Sequence, residues 1–524
     1  MGMSLTYITD SIAGQMPAVD PDRPAIALGG EAALTWRELR ALELRYAAAL
    51  RAAGVARGDR VGVLLRNSTD YIALYLAIGR AGAISVRLNW RLTGPELTFA
   101  LNDSGASLLV LDAEFGDTVG AIRDDVPVTA YVVRPDGHDV PDWATPLGVF
   151  AAQEADGTGF PEVGFDDAAT LMYSSGTTGR PKGALFSHGN ALWIGTIQAQ
   201  RWRLDEQTVA QTSGPLFHAG GFEVLLLPSL ITHGTAVTFP SGGFTLESFL
   251  DVAGMYGTTN MLLYPFMLFE LLRSDELIAR VPSSLQRIVT GGDVVMPWVY
   301  DSLQRLLPGV ALVQSYSLTE GGAVSTSLEF DVARGHERSI GRPQAMTEVK
   351  VVRPDGTLTE ADEVGEICVR SGGVSIGYWN RPDANAVTFS DGWCRSGDLG
   401  VVDAAGYLTI AGRAKDMYRS GGENVYPAEV EMIITGHAAV ADAAVIGVPD
   451  AKYVEVGAAV LVARDDADLD VDAIRDWLTQ RLAKYKVPKH FHVVDALPRN
   501  AGGKVQKNVL RERFSTAHTD AVEA

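Results

Sequence analysis

Only two cysteines, Cys368 and Cys394, occur in 524 residues. They have no metal-ligand spacing and are too few for a disulfide framework, so both read as small buried hydrophobes. Basic residues are also scarce. Forty-four Lys and Arg against 64 Asp and Glu give a formal net charge of −20. That balance argues against nucleic acid as a partner, since binding it rests on neutralised phosphates. An anionic ligand would need a locally basic site. No uninterrupted apolar run reaches ~18 residues, so no transmembrane helix is expected. The opening MGMSLTYITDSIAG lacks a basic stretch ahead of an apolar core, so no signal peptide is expected. The closing Ala521-Val522-Glu523-Ala524 is no peroxisomal address. The cytoplasm is the expected compartment. With 47% hydrophobic and 21% charged residues, the chain is also no candidate for disorder.

What is present is a chain too long for one core, which implies two or more domains. Thr35-Trp36-Arg37-Glu38 is a capping box, and it opens a helix that carries Leu39, Leu42, Tyr46 and Leu50 on one face. Thr93 and Glu96 repeat the device. Apolar runs at Arg60–Leu65, Ala83–Val86 and Leu108–Leu111 read as strands between these helices. Alternation of this kind predicts a mostly parallel sheet with helices on both faces. Residues 135–165, rich in Pro, Asp and Gly, read as a loop. Further on, Gln211–Phe217, Arg287–Thr290 and Ala311–Gln314 are predicted strands, with a helix over Thr245–Tyr256, and Asn260–Leu272 begins as a strand and continues as a helix. From Val349 short strands with Gly turns predict a small antiparallel sheet or barrel. From Ala414 onward, helices at Pro427–Thr435 and Val471–Leu482 and strands at Ala443–Gly447 and Gly457–Ala463 predict a compact α+β domain.

The most informative stretch is Thr170–Ser187, TLMYSSGTTGRPKGALFS. Two apolar runs flank Ser174, Ser175, Gly176, Thr177, Thr178, Gly179, Arg180, Pro181 and Lys182. Small hydroxyl residues and glycines offer backbone N–H groups to an anion, and Arg180 and Lys182 add positive charge. This reads as a polyphosphate loop. It is not the common P-loop, because Gly183 rather than Ser or Thr follows Lys182. A Gly/Ser linker is the plain alternative, but linkers rarely sit between apolar strands. Tyr173-Ser174-Ser175-Gly176-Thr177-Thr178-Gly179-Arg180-Pro181-Lys182-Gly183 resembles the phosphate loop of the adenylate-forming enzymes. That family includes acyl-CoA synthetases, adenylation domains of peptide synthetases and firefly luciferase.

Further segments resemble that family in its order. Gln314 to Gly322, with Tyr316, Thr319 and Glu320, is similar to its Tyr-Gly-x-Thr-Glu, with Ser317 where glycine is usual. The resemblance implies Tyr316 against adenine, Thr319 on the α-phosphate and Glu320 on Mg²⁺. Thr290-Gly291-Gly292-Asp293 resembles the strand end beside adenine. Gly392 to Gly400 resembles the ribose segment, with Asp398 accepting from the diol. Ile410 to Asp416 resembles the inter-domain segment, which implies Arg413 on the ribose and Lys415 as the hinge. Ser420 to Glu429 resembles the thioester-face loop, where Gly421 and Gly422 would let a pantetheine arm pass. Tyr485 and Lys489 resemble contacts to the CoA nucleotide. Leu497 to Val505 resembles the adenylation lysine loop, which makes Lys504 the catalytic cation. His218, in Pro215 to Gly221, resembles the residue that closes the acyl pocket. Arg87 departs from the family's frequent proline, is expected to lie far from the motifs, and has no assigned role.

The resemblance implies a large α/β domain of parallel sheets with a small antiparallel barrel-like part over residues 1–412. A hinge at 413–416 and a mobile α+β domain over 417–524 follow. It implies ATP, Mg²⁺ and CoA as cofactors. The reaction would convert an acid to an acyl-adenylate and then to a thioester. The acyl pocket would be lined by His218, Gly220, Gly221, Phe222, Gly291, Ser315, Gly321 and Gly322. No fixed charge stands among them, so a bulky hydrophobic acid is expected. A carrier-protein arm is the alternative acceptor, and an enzyme that stops at the adenylate is another reading. A non-enzymatic scaffold has no need of Lys182, Glu320 and Lys504 together. A monomer and a homodimer fit equally well.

Overall fold

A computed structural model of the chain describes residues 3–13, 18–152, 158–174, 181–292, 295–329, 335–413, 415–420, 423–450, 452–464, 469–499 and 505–515. The chain divides into two compact units. The first comprises Met1–Val332, Pro343–Glu348 and Val369–Cys394, and the second Ala333–Arg342, Val349–Cys368 and Arg395–Ala524.

The first unit holds two large sheets. In one, six strands run parallel in the order Pro24–Leu28, Thr235–Thr238, Val209–Thr212, Asn260–Leu262, Arg287–Gly291 and Ala311–Tyr316. Antiparallel strands flank them at Leu34–Thr35 and Thr326–Glu329. In the other, Ala168–Ser174, Ile84–Arg87, Arg60–Leu64, Leu108–Asp112, Ala130–Arg134 and Thr145–Pro146 are parallel neighbours. Lys182–Ser187 folds back antiparallel on Ala168–Ser174, and Gly377–Tyr378 adds an outer antiparallel strand. The strands are apolar on both faces because helices cover both, as the unbroken runs of Val, Leu and Ile predicted.

Both capping boxes form, at Thr35 before helix Trp36–Ala52 and at Thr93 before helix Gly94–Ser104. The predicted strand Gln211–Phe217 is shorter. It stops at Thr212, and Gly214 and Pro215 turn the chain away from the sheet. Residues 135–165 are not wholly a loop, since they contain the edge strand Thr145–Pro146 and the helix Leu147–Phe150.

Strands Glu348–Val352, Gly365–Arg370, Trp393–Val402 and Leu408–Arg413, most of whose residues belong to the second unit, make the antiparallel sheet that the Gly turns predicted. Beyond them, Val440–Asp450 and Val454–Ala463 form a long hairpin. Its alternate residues build two cores. Val445, Ala459 and Leu461 pack with Val430, Ile434, Ile474 and Leu478, from helices Pro427–Ile434 and Val471–Thr479. Ile446, Val448, Ala458 and Val460 pack with Leu510 and Phe514 from helix Lys507–Ser515, which the sequence reading missed.

His188 opens helix His188–Trp202, directly after the hairpin of the phosphate loop. It is fully buried, and its Nδ1 accepts the Leu5 N–H at 3.2 Å, which fixes the neutral tautomer. Burial drives its pKa down to about 4 from 6.5, against a smaller opposing pull from Asp167. The unfolded chain therefore takes up a proton near pH 6.5 that the folded chain refuses until about pH 4. Stability from this group is complete above pH 6.5 and falls as pH drops through that window, by about 3 kcal/mol. We expect His188→Asn, which keeps an acceptor for Leu5, to flatten the acid limb of unfolding between pH 6.5 and 4. Denaturant titrations across that range check it.

Candidate functional site

The parallel strands of the first sheet all end on one edge, and three predicted segments emerge there. The His218 segment follows Val209–Thr212, Gly291 and Gly292 end Arg287–Gly291, and Ser315 to Gly322 close Ala311–Tyr316. The residues between Leu262 and Pro265, including Tyr264, leave the strand between them. The C-terminal edge of a parallel sheet is where open α/β folds place their ligands.

Gly291 lies directly beside Ser315 in register, and Ser315 Oγ donates to the Thr290 carbonyl at 3.1 Å. Tyr316 pairs with Thr326 of the antiparallel neighbour and is half-buried. Thr319 and Glu320 sit in the turn that follows, where the Gly321 N–H donates to the Leu318 carbonyl at 3.1 Å. Gly322 has φ +87°, and a Cβ there would lie 2.3 Å from the Gly373 carbonyl oxygen. Only glycine allows that loop to lie against the 371–376 segment.

A bond from the second sheet reaches this edge. Tyr378, on the outer strand beside Ala184, donates from its hydroxyl to Glu320 Oε1 at 2.9 Å. The Ser375 N–H donates to the Glu320 carbonyl at 2.9 Å. The Lys182 ammonium lies 5.0 Å from the centre of the Tyr378 ring. One tyrosine thus joins the cation of the phosphate loop to the carboxylate predicted to hold a metal. Burial, and then the Glu320 carboxylate, push the phenol pKa far up, so Tyr378 stays a donor. No motif pointed to it. Its signal was a Gly-Tyr-Trp run whose register on the neighbouring strand cannot be read from the chain.

Ser174 pairs with Lys182 at the last rung of the antiparallel hairpin. Ser175, Gly176, Thr177, Thr178, Gly179 and Asp293 lie outside the described residues, as do Gly421, Gly422 and Lys504. The phosphate loop therefore joins two strands and does not run into a helix, which separates it from the P-loop architecture.

His218 is the N-cap of the short helix Ala219–Phe222, and its Nδ1 accepts the Gly220 N–H at 3.1 Å. Gly221 packs against the Pro215 carbonyl so tightly that a Cβ would lie 2.1 Å from its oxygen. The buried Tyr264 hydroxyl lies over Gly214 and Gly220 with no hydrogen-bond partner among the described residues. Arg87, remote in the chain, reaches this segment from below. It donates to the Leu216 carbonyl and pairs with Glu223. The expectation that Arg87 lies far from the motifs therefore fails in space.

In the second unit, Asp398 and Arg413 are direct cross-strand partners, with Arg413 Nε donating to Asp398 Oδ1 at 2.9 Å. Asp398 is buried, and its N–H donates to Ser396 Oγ at 3.0 Å. The two predicted ribose residues thus meet, although the sequence assigned each alone. Burial, and then Arg413, lower the Lys415 pKa. Asp416 is held by Arg511 at 2.7 Å. Strands Tyr418–Ser420 and Glu423–Val425 form a hairpin whose two-residue connection is the Gly421-Gly422 pair. Lys489 lies 3.6 Å from Asp450 Oδ2 and 3.6 Å from the centre of the Tyr453 ring, while Tyr485 is exposed. An antiparallel bridge between Arg499 and Val505 closes the base of the loop that carries Lys504.

The donors fit the expected metal. Among the described residues the one cluster of three acidic side chains is Asp112, Glu114 and Asp136, and Arg134 and Arg66 occupy it. Mg²⁺ prefers hard oxygens, one or two carboxylates and substrate phosphates, which suits Glu320 as the protein ligand. Gly221→Ala tests the tight turn below His218. We expect a loss of about 1–3 kcal/mol from the forced shift of the Pro215 carbonyl, read as a lower unfolding midpoint.

Comparisons with known proteins give the family. Residues 15–379 match the family described as AMP-binding enzyme, and residues 429–504 match the AMP-binding enzyme C-terminal domain. The chain is 39% identical over 501 residues to a feruloyl-CoA synthase of Amycolatopsis sp, covering 95% of this chain and 97% of that one. It is 35% identical over 518 residues to an indoleacetate–CoA ligase of Aromatoleum aromaticum, covering 97% and 98%. The anthranilate CoA ligase AuaEII, solved in complex with anthranoyl-AMP, superposes with a TM-score of 0.89 at 25% identity, over 99% of this chain and 98% of that one. Among the described residues no helix is long and apolar enough to cross a membrane. The chain belongs to the AMP-binding enzymes, as an ATP-dependent, adenylate-forming acid–thiol ligase.

Proposed function

We propose that this enzyme activates a bulky hydrophobic carboxylic acid, with ring-bearing acids first among them, and passes the acyl group to CoA. The observation that carries the proposal is Tyr378, which ties Glu320 to the Lys182 end of the phosphate hairpin at the sheet edge where the His218, Gly291 and Tyr316 segments emerge. The named relatives act on feruloyl, indoleacetate and anthranilate groups. No charged side chain stands at His218 to Phe222 or at Gly321 and Gly322, which favours an uncharged acyl tail.

A carboxylate is a poor electrophile. Its oxygen attacks the α-phosphorus of ATP, the bond to the β-phosphate oxygen breaks, and pyrophosphate leaves with that electron pair. Positioning and charge neutralisation carry most of such a step. Lys182 and the hydroxyls from Ser174 onward hold the outer phosphates. Thr319 addresses the α-phosphate, Tyr316 stacks on adenine, and Asp398 with Arg413 binds the ribose. Mg²⁺, when bound, neutralises phosphate oxygens, and Glu320 is its protein ligand. Lys504 draws the two anions together. The CoA thiol then displaces AMP from the acyl carbon. For that step we propose that residues 417–524 turn about the 413–416 hinge at Lys415, so that Lys504 withdraws and Gly421 and Gly422 line the path of pantetheine. Tyr485 and Lys489 take the CoA nucleotide. CoA, rather than a carrier-protein arm, is the acceptor, and the cytoplasm is the compartment.

The direct test is pyrophosphate release over a panel of ring-bearing and long-chain acids, followed by offering CoA or a carrier protein and identifying the thioester. No release with any acid overturns the reading. Lys504→Ala should lower adenylation by 100-fold or more, while thioester formation from supplied acyl-adenylate stays within about tenfold. Equal loss of both half-reactions contradicts the two-step division of labour. Tyr378→Phe should raise the Mg²⁺ needed for half-saturation about tenfold, as loss of an outer partner of a metal ligand does. Titration with Mg²⁺ at fixed ATP reads it.

A further inference from the structure

Arg87 ends the strand Ile84–Arg87, in register with Val63 on one side and Met172 on the other. Its side chain is 0% exposed and that of Glu223 is 4% exposed. One guanidinium nitrogen meets Glu223 Oε1, and the other donates to the Leu216 carbonyl. Nε donates to the Tyr71 hydroxyl at 3.3 Å, and Nη1 lies 3.3 Å from Met172 Sδ. The guanidinium carbon lies 5.5 Å from the centre of the Phe222 ring and 5.8 Å from that of Tyr75.

Leu216 lies two residues before His218, and Glu223 directly follows the helix Ala219–Phe222. Arg87 therefore grips both ends of the segment that holds His218, Gly220, Gly221 and Phe222. As a stabilising device the pair is poorly made. Two charges lose their hydration, and Glu223 Oε2 has no hydrogen-bond partner among the described residues. Apolar residues of similar volume often match or exceed the stability of such a buried pair. What an apolar replacement cannot supply is direction. A planar guanidinium sets both the Leu216 carbonyl and the Glu223 carboxylate at fixed angles.

We propose that the Arg87–Glu223 pair is a positioning device that sets the His218–Phe222 segment and, through it, the affinity and selectivity for the acid. The proposal rests on the reading of that segment as acyl-pocket wall. Neither residue need touch substrate. The hydrogen-bond partners of the pair lie at Tyr71, Met172 and Leu216 and not at Lys182, Tyr316 or Glu320, so the handling of ATP should not change with it.

The test is the double variant Arg87→Met/Glu223→Met, which removes both charges together and leaves no buried partner unpaired. We expect an unfolding midpoint near that of the parent, an unchanged KM for ATP, a KM for the best acid raised tenfold or more, and a changed ranking of acids in the pyrophosphate-release panel. In a His218→Ala background the same double change should add little to the KM for the acid. A double variant with the parental acid KM and ranking overturns the proposal, as does a KM for ATP that rises in step with that for the acid. If the double variant does not fold, Glu223→Gln carries the same test, since it removes the charge and keeps an acceptor for Arg87. A raised acid KM with ATP unmoved supports the device, and both unmoved overturns it. A parent enzyme that activates no acid of the panel would instead sink the function proposed above.

Discussion

The hydrogen bond from the Tyr378 hydroxyl to the Glu320 carboxylate joins the outer strand of one sheet to the turn that follows the last parallel strand of the other. One sheet contributes the phosphate hairpin and Lys182, and the other contributes the turn with Thr319 and Glu320. A carboxylate proposed to meet a metal and a polyphosphate needs a fixed orientation before they arrive. A phenol supplies that without adding a charge that would compete. The same ring lies beside the Lys182 ammonium, which brings the cation of the hairpin to the tyrosine that holds the carboxylate.

The surrounding backbone is built for close approach. Gly322 accepts the neighbouring 371–376 segment, and Gly221 lets the chain fold back on Pro215 below His218. A turn that tight has little freedom of its own, and Arg87 holds it at both ends from the core of the other sheet. The site is therefore a set of short turns at strand ends, each pinned by a partner from elsewhere in the same unit. In the second unit, Asp398 and Arg413 face each other across neighbouring strands, which presents a carboxylate and a guanidinium side by side.

Much of this was legible in the chain. The loop from Ser174 to Lys182 carries its chemistry in residue type, and the Tyr316–Glu320 turn and the Asp398 and Arg413 segments were legible through their resemblance to the adenylate-forming enzymes. Both capping boxes and the antiparallel character after Val349 followed from local patterns. Short-range signals failed where a distant element decided. The strand after Val209 ended early because Gly214 and Pro215 turn the chain away from the sheet. The helix Lys507–Ser515 was invisible because only the hairpin Val440–Ala463 gives its apolar side something to cover.

The sequence by itself determined which side chains are proposed for phosphate, ribose and acid, because motifs of contiguous residues need no partner to be recognised. It also determined that strands alternate with helices, since that pattern is a matter of local periodicity and capping. Only the tertiary structure decided that Tyr378 meets Glu320, that Asp398 meets Arg413, and that Arg87 lies beneath His218. Each depends on strand register, and register is set by the burial of whole sheets rather than by any residue's neighbours in the chain.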